Sequence, residues 1–353
     1  MKKVIVISFL FFLNISCISE PKKKTTTNNS KIANVSKKKQ VQNNPKQKVG
    51  SNTYKKLLNR TLQFANNLDF NLAYIRNKGL KDKKYLAEFL GLYLKLNKSA
   101  ISKKQKKEIR KRLAPFYKET LKASYHNMAT VNDKLFKANS MSYMRIMWLL
   151  NELEYDISLY KKELEKVQKR MDNHMNVRGP WQRAVFDKYY DFFKIKKPIA
   201  LNNAKKLKGS IGTKEKLVFY DRAKAYEITH FIFAAYDYGN KKTQSRFDNQ
   251  DLNYLKEILP QIIKKFELKN NDDLVGELLT CQILIGDTTN KAFKMSYQRL
   301  MNKQNNDGSF GNYERGRNKH GKDLEFRYYL HTTLVCSETF IEYEYRQVKN
   351  IFE

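Results

Sequence analysis

Proline, glycine and cysteine are scarce in this chain, and acidic residues are few beside basic ones. The 353 residues include six Pro, 13 Gly and three Cys, and 35 Asp or Glu stand against 69 Lys or Arg. So few helix breakers over this length favour an all-α fold. Three cysteines exclude a disulfide-built scaffold. We expect Cys281 and Cys336, both within apolar helical patterns, to be buried free thiols.

Several catalytic motifs are also missing. The chain has no glycine-rich phosphate loop, nucleophile elbow or His-Glu-x-x-His helix, which excludes the enzyme classes that depend on them. The net charge of +34 attracts polyanions. Zinc-finger and RNP-type motifs are nevertheless absent, so we expect no specific nucleic-acid partner.

The first 17 residues have the layout of a bacterial export signal. Two lysines precede an apolar run over residues 4–13, and Ser16-Cys17 follows. This run is too short to span a membrane. Ser16-Cys17 resembles a lipobox, although Asn14 stands where Leu is usual. We therefore expect a signal peptide over 1–16 and a lipidated Cys17. A plain cleaved signal or an uncleaved anchor remain alternatives.

Residues 17–53 have the composition of a tether. Residues 1–55 contain 12 Lys and only one acid, Glu20, and no aromatic residue stands between Cys17 and Tyr54. A segment with so little apolar surface is expected to be disordered. Its lysines predict contact with anionic lipids or envelope polymers. Together these features predict a protein of the cell envelope, lipid-anchored to a bacterial membrane and facing the periplasm or exterior.

From residue 54 onward, apolar residues recur with the period of a helix. The pattern predicts helices over 54–77, 82–97, 103–125, 141–155, 157–174, 181–193, 214–238, 250–267, 272–285, 290–303 and 326–345. Six of them are apolar on nearly every side and alternate with helices rich in Lys and Glu. Since a helix apolar all round is packed all round, this alternation predicts an α/α toroid over 54–353, with inner helices lining a cavity. An irregular bundle or a helical-repeat solenoid is the alternative.

One segment carries a family resemblance. Residues 304–313 read QNNDGSFGNY, which resembles the Gln…Asp-Gly-Ser-Phe-Gly…aromatic turn of the terpenoid-cyclase and protein-prenyltransferase class of α/α toroids. Downstream, YYLHTTLV resembles the prenyltransferase helix whose histidine binds zinc, and His331 occupies that place. The resemblance implies the toroid fold. It does not imply the activity, because the Asp-x-Asp-Asp motif is absent and Asn271 and Asp273 stand near the positions of the Asp and Cys zinc ligands.

Acids and histidines interrupt the apolar inner helices at five positions, Glu227, His230, Asp273, Glu277 and His331. Residues three or four apart share a helix face, so we expect all five to converge in the cavity as a candidate catalytic cluster. His230, His331 and Asp273 would suit a divalent metal such as zinc. Without a metal, the same groups would suit acid/base catalysis. A buried, hydrogen-bonded cluster without function is the structural alternative.

Two functions are consistent with these features. The first is a cell-envelope lipoprotein whose toroid presents a polar cavity that binds an envelope or secreted ligand. The second is a metal-dependent or acid/base hydrolase or lyase that acts on an anionic glycan or peptide. The expected anchor and the lack of a complete catalytic motif favour binding, and the cavity carboxylates favour an enzyme.

Overall fold

A computed structural model describes residues 83–99, 103–305, 308–311 and 330–347. Within these ranges all regular secondary structure is helical, which confirms the all-α prediction. The predicted signal peptide, Cys17, the tether and the predicted helix over 54–77 lie outside the described residues. In the part of the chain that is described, no helix combines the length and the hydrophobicity required to cross a membrane.

The described ranges contain ten α-helices. In chain order they are α1 (Lys84–Ser99), α2 (Lys103–Thr120), α3 (Asp133–Glu152), α4 (Ser158–His174), α5 (Pro180–Phe192), α6 (Arg222–Ala235), α7 (Asn249–Leu268), α8 (Asp272–Leu284), α9 (Lys291–Met301) and α10 (Leu330–Gln347). Short 3-10 turns lie between α5 and α6, at Ile199–Leu201, Ala204–Lys206, Gly209–Ile211 and Leu217–Phe219.

Capping side chains explain the two largest differences from the predicted helix bounds. The helix predicted from residue 141 begins at Asp133, because the side chain of Asn132 accepts a hydrogen bond from the N–H of Leu135 at 3.0 Å. The helix predicted from residue 214 begins only at Arg222. Asp221 caps it by accepting from the N–H of Lys224 at 2.9 Å.

Six helices contact one another in a closed cycle. α1 packs against α3, α3 against α5, α5 against α6, α6 against α8 and α8 against α10, and α10 packs against α1. These are the six helices whose sequences are apolar on nearly every side. α8 is the most enclosed, since all 13 of its residues are buried. The six helices are called the ring below.

The amphipathic helices pack against the ring. α2 contacts α1, α4 contacts α3, and α7 and α9 contact α8. On α7 the buried residues recur at helical spacing, from Leu255 through Ile262 to Phe266. Each such side chain contributes about 1.5–3 kcal/mol by burial. Between α5 and α6 there is no outer α-helix, and the 3-10 turns pack there against α5, α6 and α7. Cys281 and Cys336 are buried and free, as predicted.

Candidate functional site

Polar side chains gather where the ring helices begin. This N-terminal cluster consists of Glu88 of α1, Tyr226 and Thr229 of α6, Asp273 and Glu277 of α8, and His331 of α10. Asp273 is the second residue of α8, His331 is the second described residue of α10, and the other members lie within the first two to three turns of their helices. α1, α6 and α8 therefore begin on the same side of the ring.

His331 is the centre of the N-terminal cluster. Its Nδ1 lies 2.5 Å from Oδ1 of Asp273, and its Nε2 lies 3.4 Å from Oε1 of Glu88. Burial alone would lower the pKa of His331, but the two carboxylates raise that pKa well above its usual value. His331 is therefore an imidazolium that bridges α8 and α1, with 27% of its side chain exposed.

Asp273 is held in its ionised form. Its second carboxylate oxygen accepts a hydrogen bond from the hydroxyl of Tyr226. Burial by itself would raise the pKa of Asp273, but the charge and hydrogen bond of His331 and the bond from Tyr226 lower it below its usual value. Glu88 behaves in the same way, because His331 and Lys84 outweigh its burial and lower its pKa.

Glu277 lies one helical turn after Asp273 and has the opposite shift. Its Oε2 accepts a hydrogen bond from Oγ1 of Thr229 at 2.6 Å. Burial and the nearby charge of Asp273 raise the pKa of Glu277 to about 7. The environment thus separates the pKa values of two carboxyl groups on one helix face. Such a pair is typical of acid/base sites, where one group stays ionised and the other exchanges a proton near neutral pH.

The raised pKa of Glu277 predicts a pH-dependent difference in stability between wild type and Glu277→Gln. A carboxyl whose pKa is raised in the folded state stabilises the fold fully at pH values below its pKa in the unfolded state. That contribution is lost as pH rises through its pKa in the folded state. As pH rises from about 4.5 to about 7, the free energy of unfolding of wild type should fall by about 3 kcal/mol relative to that of the variant. Urea unfolding at several pH values measures this difference.

The control for that experiment is Glu257→Gln on α7, because the Glu257 side chain is exposed. We expect this substitution to change the free energy of unfolding by less than about 0.5 kcal/mol at any pH. A stability difference between wild type and Glu277→Gln that stays constant with pH would contradict the assignment.

His230 lies beside the N-terminal cluster. Its Nδ1 is 2.6 Å from the carbonyl oxygen of Tyr226 and 3.3 Å from Oγ1 of Thr229. Its ring packs on Trp181 of α5, with the ring centres 4.3 Å apart. Burial lowers the pKa of His230 to about 4, so this histidine is neutral at physiological pH and is half-buried next to a half-buried tryptophan.

Glu227 points elsewhere, so the expectation that all five residues converge is wrong for this one. Its carboxylate lies against the turn at Gly209, where a Cβ would collide with it. That turn also requires glycine because its φ is +52°. The physical reason is helical phase. Tyr226, Thr229 and His230 share one face of α6. Glu227 lies about 100° around the helix axis from Tyr226 and therefore points away from that face.

The described residues give no support to the metal hypothesis for His230, His331 and Asp273, which stays a prediction. Among the described residues, no group of three or more His, Cys, Asp or Glu side chains is arranged to hold a metal ion. A histidine ligand needs a nitrogen lone pair. Both ring nitrogens of His331 instead face carboxylates, with a raised pKa that keeps them protonated.

Sequence reasoning missed three members of the N-terminal cluster, Glu88, Tyr226 and Thr229. Glu88 could have been predicted from the sequence, since it is the one acid in the apolar stretch YLAEFLGLYLKL. Tyr226 and Thr229 carried none, because a tyrosine and a threonine in an apolar helix are ordinary core residues.

Comparison with models of protein families gives a match over most of the chain. Residues 66–337 match the model of a protein family described as a domain of unknown function (DUF6895). No curated protein and no solved structure matches the chain.

Proposed function

The chain belongs to the DUF6895 family, and we propose that it is an acid/base hydrolase or lyase of the bacterial cell envelope that acts on an anionic glycan or peptide. The observation that carries this proposal is the pair formed by Asp273 and Glu277. The pKa of Asp273 is lowered while that of Glu277 is raised to about 7. Catalytic pairs are built in this way because the reaction needs one fixed charge and one exchangeable proton.

Each member of the pair has a distinct role in the proposal. Glu277 gives or takes the proton, since its pKa of about 7 lies near the working pH. Asp273 supplies the fixed negative charge, and His331 and Tyr226 are positioning residues that hold its two oxygens. Thr229 fixes the rotamer of Glu277 by its hydrogen bond.

The surroundings of the pair favour an anionic substrate. His331, His230, Tyr226 and Trp181 are all only half-buried, so the N-terminal cluster reaches the surface. Two further cations lie at this end of the ring. The side chain of Lys84 is 44% exposed, and the guanidinium of Arg222 lies 5.6 Å from the ring centre of Tyr226. Lys84 is paired with Glu88 at 3.5 Å, and His331 is paired with Asp273 and Glu88. The attraction for a carboxylate-bearing chain therefore rests on Arg222.

The cycle of six helices supports a proposed fold for the site. We propose that the ring is the inner wall of an α/α toroid, with α2, α4, α7 and α9 as parts of the outer layer. The support is the closed order of helix contacts and the side-by-side arrangement of the helix starts. In such a wall, side chains from several helices converge at one end of the ring, which is how Glu88, Asp273 and His331 meet.

The envelope location rests on the sequence of the export signal and predicts the outcome of Cys17→Ala. A lipid chain contributes about 0.8 kcal/mol per buried CH₂. We therefore expect the variant to appear in the soluble fraction, while wild type sediments with membranes. Fractionation in high salt, followed by immunoblotting, measures this. Equal sedimentation of both chains would contradict lipidation of Cys17.

The proposed activity is tested by product formation. The purified chain is incubated with acidic polysaccharides and acidic peptides, and new reducing ends, unsaturated uronic acids and new amino termini are measured. A hydrolase yields reducing ends or amino termini, and a lyase yields the unsaturated product. If none forms with any substrate above the level of a heat-inactivated control, the enzyme proposal is contradicted.

Binding without turnover is the second candidate function. The observation that favours it is that the carboxylates of Glu88, Asp273 and Glu277 already have protein partners. A cluster of this kind can support a cavity without reacting. Ligand-induced stabilisation of the chain with no product would identify this function.

A further inference from the structure

A cleft lies at the opposite end of the ring. Its cavity volume is about 40 Å³, about three times what one water molecule needs. It is lined by the later turns of α1, α3 and α10 and by residues 238–240, which follow α6. None of its lining residues belongs to the N-terminal cluster. This C-terminal cleft and the N-terminal cluster are electrostatically linked, because the charge of Arg145 in the cleft acts on Glu88 of the N-terminal cluster.

The lysines at the rim of the C-terminal cleft are bound to other parts of the protein. Nζ of Lys95 lies 3.1 Å from the carboxylate of Glu342 and 3.1 Å from the carbonyl oxygen of Tyr238. Nζ of Lys98 lies 3.0 Å from Glu152 and also donates to Oδ1 of Asn240. Both lysine ammonium groups therefore already have protein partners. We expect other side chains of the cleft to bind a ligand.

Three donors in the C-terminal cleft are buried and have no hydrogen-bond partner among the described residues. They are Nε of Arg145, Nε1 of Trp148 and Nδ2 of Asn240. All three residues line the cleft, and Trp148 is only 1% exposed. A buried donor without a partner costs about 1–3 kcal/mol. A ligand that brings acceptor atoms would remove that cost.

The charges around these donors favour an anionic acceptor. The side-chain nitrogen of Lys188 lies 3.4 Å from the ring centre of Trp148 and 2.5 Å from Asp237. Burial lowers the pKa of Lys188 well below its usual value. Glu342 is paired with Lys95. The remaining charged lining residues are Arg145 and Glu338. Burial raises the pKa of Glu338, which weakens its compensation of the Arg145 guanidinium. That guanidinium also lies 5.0 Å from the ring centre of Tyr238.

We propose that the C-terminal cleft binds a small organic carboxylate, with Arg145, Trp148 and Asn240 donating to its oxygens. A carboxylate matches this arrangement because its two oxygens offer several acceptor positions, and hydrogen bonds to a charged acceptor are the strong ones. The proposal does not depend on the function of the N-terminal cluster at the other end of the ring.

The two tryptophans of the chain allow the site to be located directly. Trp148 lines the C-terminal cleft, and Trp181 packs on His230 beside the N-terminal cluster. In Trp181→Phe, all tryptophan fluorescence comes from Trp148. Succinate, acetate and glutamate are titrated into this variant, and we expect a saturable fluorescence change with at least one of them. In Trp148→Phe the remaining Trp181 should not respond.

A third variant tests the donor itself. Asn240→Asp keeps the shape of the side chain and the acceptor for Lys98, but replaces the Nδ2 donor by a negatively charged oxygen. Combined with Trp181→Phe, it should weaken carboxylate binding at least about tenfold, with an unchanged melting temperature. The proposal is overturned by unchanged affinity in this variant, by a response of Trp181 alone, or by no saturable response to any of the three carboxylates.

Discussion

Replacement of Glu277 by glutamine is expected to reduce turnover about 10²–10⁴-fold, the usual contribution of a general acid or base. Glutamine has nearly the same shape and keeps the oxygen that accepts from Thr229 at 2.6 Å. It cannot exchange a proton. The substitution therefore removes the chemistry and retains the packing, and the measurement is kcat on whichever anionic substrate the wild type converts.

The pH dependence of wild-type turnover separates the two reaction classes. A hydrolase that uses protonated Glu277 as an acid should lose turnover as pH rises through about 7, and a lyase that uses ionised Glu277 as a base should gain it. Glu257→Gln, at an exposed position of α7, is the matched control and should change turnover less than about twofold. Wild-type turnover in Glu277→Gln would exclude the proton-transfer role.

Removal of the His331 side chain is expected to have the largest effect on stability. In His331→Ala, Asp273 and Glu88 would lose the cation that lies 2.5 Å and 3.4 Å from their oxygens. Breaking a buried ion pair by deleting one partner costs about 3–5 kcal/mol. The pKa of His331 is raised in the folded state. Its contribution to the free energy of unfolding is therefore complete at pH values below its unfolded-state pKa, and it is lost as pH rises through its folded-state pKa. Urea unfolding at neutral pH measures the loss.

His174→Ala is the control for that loss. His174 also faces an aspartate, with Nε2 3.7 Å from Asp133, but 80% of the Asp133 side chain is exposed. Such a half-exposed pair contributes at most about 1 kcal/mol. The His174 side chain is 15% exposed and packs on Phe136, so the variant also reports the cost of deleting a buried imidazole. A loss in His331→Ala no larger than the loss in His174→Ala would show that the bridge between α1 and α8 is energetically unimportant.

The helix composition could be read from the sequence because it depends on local patterns. The six stretches that are apolar on nearly every side form the ring, and the Lys- and Glu-rich stretches pack against it. Asp273 and Glu277 could be paired from their spacing alone, since residues four apart share a helix face. Which residue of α10 contacts Asp273 depends on how α8 and α10 pack, and spacing along one helix cannot predict that. The family resemblance singled out the position of His331 but not its contact with Asp273.

The errors have a common physical origin, because a spacing rule does not fix the direction in which a helix face points. Glu227 and His230 share a face by spacing, but the face that meets α8 is centred on Tyr226 and Thr229. α6 ends at Ala235, and Asp237 beyond it pairs with Lys188 beside the C-terminal cleft. Sequence also cannot show that both ring nitrogens of His331 face carboxylates.

The most direct test of the proposed site is the titration of the Glu side-chain carboxyls by carbon-detected NMR from acid to alkaline pH, in wild type and in Glu277→Gln. The proposal predicts one glutamate carboxyl with a midpoint near 7, present in wild type and missing from the variant. If every glutamate carboxyl titrates near its ordinary pKa of about 4.3, Glu277 cannot exchange a proton at neutral pH and the acid/base proposal is contradicted.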